Sequence, residues 1–196
     1  MILASQSPRR IELMREAGYD FRVIPADIDE TPQVHEGPLE LVARLSLDKA
    51  AFSASTSAYP GELVVAADTI VAIDGEVLGK PEDEADARRM LRELSGRTHQ
   101  VATGVALIVA HAKRVEPVSL VEVTDVTFFD LTDDEIDGYV KGGEPMDKAG
   151  AYGIQGVGGR MLVKKIDGDF YNVVGLPIAR TVRAIARLET QAGIIC

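Results

Sequence analysis

Tryptophan is absent from this chain of 196 residues, cysteine occurs once and histidine three times. The single cysteine, Cys196, excludes an internal disulfide framework and any cysteine zinc site, which fits a reducing compartment. His35, His99 and His111 lie far apart and lack a metal-ligand spacing such as two histidines four residues apart. No apolar run approaches the roughly 18 residues that a membrane span requires. Met1 leads straight into Ile2-Leu3-Ala4-Ser5 without a basic n-region. The expectation is a soluble, cytoplasmic protein with no membrane contact. Basic residues are outnumbered 21 to 31, for a formal charge of −10, and an acidic surface repels a nucleic-acid backbone. A small anion is still a fitting ligand wherever the few cations converge.

The length suits one domain with room for a real core, so residues 1–196 are read as a single unit. Short apolar strands are expected at "MILAS" and "FRVIPA", and longer ones at "ELVVAADTIVAI", "HQVATGVALIVA" and "VSLVEVTDVTFF". Ser7-Pro8 opens a first helix that stops at Gly18, and Pro38 opens a second, in which Glu40 and Arg44 form an i,i+4 pair. Asp74-Gly75 signals a hairpin, a charged helix spans about Glu82 to Leu94, and Thr132 with Glu135 makes a capping box. "RMLVKKI" and "FYNVVG", on either side of Asp167-Gly168, read as a second hairpin, and Pro177 opens an amphipathic C-terminal helix. Hairpins interleaved with helices predict an α/β fold with a mixed sheet flanked by helices.

Several residues break local rules. Arg9 and Arg10 fall in the first turn of a helix, where the macrodipole is already positive. With the Ser5 and Ser7 hydroxyls and free backbone N–H groups nearby, a phosphate turns that conflict into complementarity. Asp68 interrupts a buried strand, as a structural carboxylate satisfied by a neighbour such as Thr69, or as a general base or hard-cation ligand. Lys80 is pinned between Gly79 and Pro81. Lys49, beside Asp48, reads alone as surface charge, and Glu30 as part of a solvated acidic loop.

Gly150, Gly153, Gly156, Gly158 and Gly159 crowd ten residues, a loop built for close backbone approach. It is neither a P-loop nor a dinucleotide fingerprint. Within it Gln155 can donate and accept, which suits the edge of uracil or thymine. Together these features describe a polyphosphate held by cations, a divalent metal held by carboxylates, and a base read by a loop.

The motifs "LASQSPRR", "VAADTIV", "LGKP", "LSGRTHQV" and "DKAGAYGIQG", in this order, resemble the Maf family of nucleoside triphosphate pyrophosphatases from Ile2 to Pro177. The resemblance implies a fold like that of the inosine triphosphate pyrophosphatases, with an elongated sheet and two lobes around a central cleft. It also implies cleavage of dTTP and UTP to the monophosphate and pyrophosphate with a divalent cation (Mg²⁺, Mn²⁺ or Co²⁺), as nucleotide-pool house-cleaning. By motif, Asp68 matches the proton acceptor, and Glu30, Lys49 and Lys80 match other essential charges. Ser7 and Arg10 flank Arg9, which with Thr69 and Gln155 matches the positions that sort substrates. Asp68 and Glu30 are the expected metal ligands. Kinship further implies a homodimer and a link to septum formation. The alternatives are a pyrophosphatase for 7-methyl-GTP or another modified nucleotide, and a division regulator that binds nucleotide without turnover.

Overall fold

The computed structural model describes residues 1–193; Cys196 lies outside them. Seven strands form one mixed sheet: β1 (Ile2–Leu3), β2 (Arg22–Val23), β3 (Leu63–Ile73), β4 (Glu76–Leu78), β5 (Thr98–Val109), β6 (Val118–Phe128) and β7 (Val163–Asp167). Their order is β2-β1-β3-β5-β6-β7, with β4 paired to β3. β1 runs parallel to both neighbours, whereas β4 and β7 are antiparallel to β3 and β6. Among the described residues, six α-helices accompany the sheet: α1 (Pro8–Glu16), α2 (Pro38–Thr56), α3 (Glu84–Leu94), α4 (Asp133–Lys141), α5 (Phe170–Val174) and α6 (Ile178–Ala192). Among the described residues, no helix is long and apolar enough to cross a membrane.

The chain divides into two compact units. The first comprises Met1–Asp68, Thr103–Glu122 and the chain from Gly175 onward; the second comprises Thr69–Ala102 and Val123–Val174. The first unit combines large buried side chains such as Leu3, Met14, Leu107 and Ile185 with a cluster of smaller ones. Ile2, Ala4, Ala50, Ala54, Val64, Ala66, Ala106 and Ala110 form one buried cluster. These residues let helix and strand backbones approach closely, and at Gly104 of β5 a Cβ would stand 2.1 Å from the Val42 carbonyl oxygen of α2. Only glycine fits there.

The core cluster of the second unit is built mostly of larger side chains. Leu91, Leu94, Phe128, Ile136, Tyr139, Tyr152 and Ile154 belong to its core. His99, Phe128 and Tyr152 meet edge to face, with centroids 4.8 to 5.3 Å apart. Such pairs contribute about 0.5–1.5 kcal/mol each beyond area burial. His99 is fully buried; Nε2 shares a 2.7 Å hydrogen bond with the Tyr152 hydroxyl. Burial lowers its pKa from 6.5 to about 4.

Local signals set the element ends. Thr132 and Glu135 form the reciprocal capping box at α4, and the Asp83 carboxylate accepts the Asp86 N–H to start α3. Two expectations are corrected. The segment Phe170–Val174 is a helical turn, and no strand pairs with β7 to make a hairpin there. Its β-branched and aromatic composition favours a strand, but the Asp169 carboxylate accepts the Tyr171 N–H at 2.7 Å and caps the turn. The buried Asn172 amide then donates to the Val101 carbonyl and to Thr124 Oγ1. Arg44 does not pair with Glu40; it forms a two-pronged contact with Glu36, at 2.6 and 2.8 Å, and a longer one with Asp48. The fork geometry of guanidinium and carboxylate outcompetes a single helical i,i+4 contact.

Candidate functional site

In the first unit, α1 begins as the sequence predicts, with Ser7 at the N-cap and Pro8 at the first helical position. The Ser7 side chain makes no capping bond to the helix. The Ser7 N–H instead donates to Ser5 Oγ at 3.3 Å. Arg9, half-buried, occupies that turn.

Arg10 turns inward. Its Nε donates to the Gly175 carbonyl at 2.8 Å, and Nη1 to the Ala67 carbonyl at 2.8 Å and to Ser5 Oγ at 3.2 Å. Burial lowers its pKa from the ordinary arginine range, opposed by the charge of Asp68. Arg10 therefore ties the start of α1 to the residue preceding Asp68. Sequence reasoning missed this role because backbone carbonyls carry no residue signature.

Lys49 departs most from its reading as surface charge. Leu41, Leu45 and Lys49 are spaced four apart on α2, and all three are buried. Lys49 thus sits on the inward stripe of the helix, in a place that periodicity reserves for an apolar residue. Its Nζ donates to Asp68 Oδ1 at 2.7 Å and contacts Glu30 Oε1 at 2.8 Å. Lys49 and Asp68 keep only 11% and 12% of their side-chain surface exposed, whereas Glu30 keeps 56%. β3 is buried along nearly its whole length, so the Asp68 carboxylate requires a partner, and Lys49 supplies one. A buried ion pair gives little net stability. What this one provides is a carboxylate fixed in direction within β3 by a buried ammonium.

Among the described residues, no group of three or more histidine, cysteine, aspartate or glutamate side chains converges as a ready metal cage. Two carboxylates sharing one ammonium nevertheless suit Mg²⁺, which is usually held by one or two carboxylates, water and substrate phosphates. Asp68 and Glu30 each meet Lys49 through one carboxylate oxygen and carry a second.

The second unit holds Thr69, Lys80 and Gln155. Thr69 follows Asp68 in β3 and is the one residue of that strand that is not fully buried. Lys80 is exposed, between exposed Gly79 and buried Pro81. The Gly79 carbonyl accepts the Gly150 N–H at 3.0 Å, which joins the Lys80 turn to the glycine-dense segment. Gln155 is half-buried in that segment, and Arg160 grips the Gln155 and Gly156 carbonyls at 2.9 Å each. Beneath the turn lie Glu144 and Tyr139, neither of which the sequence singled out.

A mixed sheet whose buried aspartate is paired with a lysine of the covering helix, with two arginines at a helix start, defines an α/β protein with charged groups set into its core. The chain belongs to the Maf family: the family model described as Maf-like protein matches residues 1–188. It is 52% identical over 187 residues to the dTTP/UTP pyrophosphatase of Koribacter versatilis, covering 95% of this chain and 93% of the relative. The dTTP/UTP pyrophosphatase of Bacillus mycoides is 47% identical over 191 residues, covering 97% and 96%. That of Symbiobacterium thermophilum is 52% identical over 187 residues, covering 95% and 93%.

Proposed function

We propose that this protein is a nucleoside triphosphate pyrophosphatase that hydrolyses dTTP and UTP to the nucleoside monophosphate and pyrophosphate. What carries the reading is its likeness, across nearly its full length, to relatives with that name. The buried Lys49–Asp68 pair supports it with chemistry suited to the reaction.

In this reading Asp68 orients a water molecule and accepts its proton as the water attacks the α-phosphorus. The Lys49 Nζ, 2.7 Å from Oδ1, fixes the direction of the Asp68 carboxylate and leaves its second oxygen for the water. Arg9 and Lys80 offset the charge that develops on the departing pyrophosphate. Arg10 holds the Ala67 carbonyl and so fixes the Asp68 backbone. Gln155 pairs with the carbonyl and N–H edge shared by uracil and thymine. A divalent cation, held by Asp68 and Glu30, would supply neutralisation of the triphosphate.

A panel of dTTP, UTP, CTP, GTP, ITP and 7-methyl-GTP with Mg²⁺ or Mn²⁺ tests the substrate assignment. We expect kcat/KM for dTTP and UTP to exceed the others by about tenfold or more. Preference for 7-methyl-GTP or another purine would replace the substrate; tight binding without turnover would make the protein a nucleotide-binding regulator.

A further inference from the structure

The glycine-dense segment is folded around two side chains of the same unit. The Glu144 carboxylate accepts the Gly158 N–H at 3.3 Å through Oε2 and the Tyr139 hydroxyl at 3.3 Å through Oε1. The Tyr139 hydroxyl in turn accepts the Gly153 N–H at 3.2 Å. The fit leaves no space for side chains on the loop. A Cβ at Gly156 would lie 1.4 Å from Glu144 Oε1, and one at Gly158 would lie 2.5 Å from the Tyr139 ring. Glu144 is fixed from behind by Lys148, whose Nζ donates to the Glu144 carbonyl and to Asp147 Oδ1, both at 2.5 Å. Desolvation raises the Tyr139 pKa above its ordinary value, so the phenol keeps its proton for Glu144.

Gln155 lies between these anchors, with Gly153 tied on one side and Gly156 and Gly158 seated on the other. A residue that reads a base edge loses affinity and selectivity when its backbone can wander by a fraction of an ångström. We propose that Glu144, backed by Tyr139, is a positioning residue for specificity: its carboxylate clasps the 153–158 turn and fixes the direction in which Gln155 meets the base. The proposal rests on the pyrimidine triphosphate reading given above.

The test compares Glu144→Ala, Glu144→Gln and Tyr139→Phe with the parent protein. We expect Glu144→Ala to raise KM for dTTP and UTP about tenfold while kcat stays within about threefold, and to lower the preference over CTP about tenfold. Glu144→Gln keeps an acceptor and the shape, so it recovers most of the preference; Tyr139→Phe moves it the same way by less. Amide hydrogen exchange over residues 153–160 reads the clasp directly, and Glu144→Ala should lose protection there and not in α3. A Glu144→Ala protein with lowered kcat or Tm but unchanged selectivity would overturn the proposal, as would unchanged exchange in the loop. If the parent turned over neither dTTP nor UTP, the pyrimidine reading would fail, whereas loop exchange would still decide whether Glu144 is the clasp.

Discussion

The two units solve different packing problems, and the difference bears on what each can do. In the first, one core cluster is rich in alanine, and a glycine stands at the crossing of β5 and α2. Such packing brings backbones together and places the charged Lys49–Asp68 pair with little freedom to move. The second is filled with leucine, tyrosine and phenylalanine, and it carries its chemistry on a loop that needs its own carboxylate and phenol to hold still. Close backbones therefore secure the proposed reaction centre, and side-chain clasps secure the proposed recognition element.

The largest effect that sharpens this contrast is expected at Asp68. Asp68→Asn keeps the shape, and the Glu30 carboxylate continues to face the Lys49 ammonium, so the fold should survive while kcat falls about 10²–10⁴-fold. Near-normal turnover with an unchanged melting curve would remove Asp68 from the reaction. Next comes acid. His99 has a folded pKa near 4, below its unfolded value of 6.5, so the unfolded chain binds the extra proton between those values. Its contribution is complete above about pH 6.5 and is lost as pH falls towards 4, on the order of 3 kcal/mol in all. Denaturant titrations across that range should show the slope, and His99→Gln should flatten it.

Gly104→Ala probes the close packing itself. A methyl group 2.1 Å from the Val42 oxygen must push α2 off β5, at a cost of about 1–3 kcal/mol. Because Lys49 rides on α2, activity should fall more than Tm alone accounts for. A comparable overpacking of the second unit, Gly158→Ala, should change nucleotide preference with less effect on kcat. The smallest effect is expected at an ion pair apart from both: Glu36→Gln removes the two-pronged partner of Arg44, and Tm should fall by less than in either glycine variant. The Glu36 pKa is lowered to about 2 by Arg44, so what stability the pair gives is present above the ordinary glutamate range and fades as pH falls towards 2.

Features encoded by neighbouring residues were legible in the chain. The Ser7-Pro8 start of α1, the Thr132/Glu135 box and the long, mostly apolar run of β3 each announce themselves within a few positions. Features that depend on distant partners were not. Phe170–Val174 has strand composition and becomes a helical turn because Asn172 finds Val101 and Thr124 across the fold. Lys49 resembled surface charge, although its place four residues beyond Leu45 put it on the buried stripe; only Asp68, 19 residues away, makes that position tenable. Glu144 is silent in sequence, since nothing about a glutamate before a proline announces that glycines will fold over it.

The central claim is that water poised by Asp68 attacks the α-phosphorus. Hydrolysis of dTTP in isotopically labelled water, with products resolved by chromatography and mass spectrometry, tests it most directly. The account predicts one labelled oxygen in the thymidine monophosphate and none in the pyrophosphate. Label in the pyrophosphate, or release of thymidine diphosphate with labelled phosphate, would contradict it.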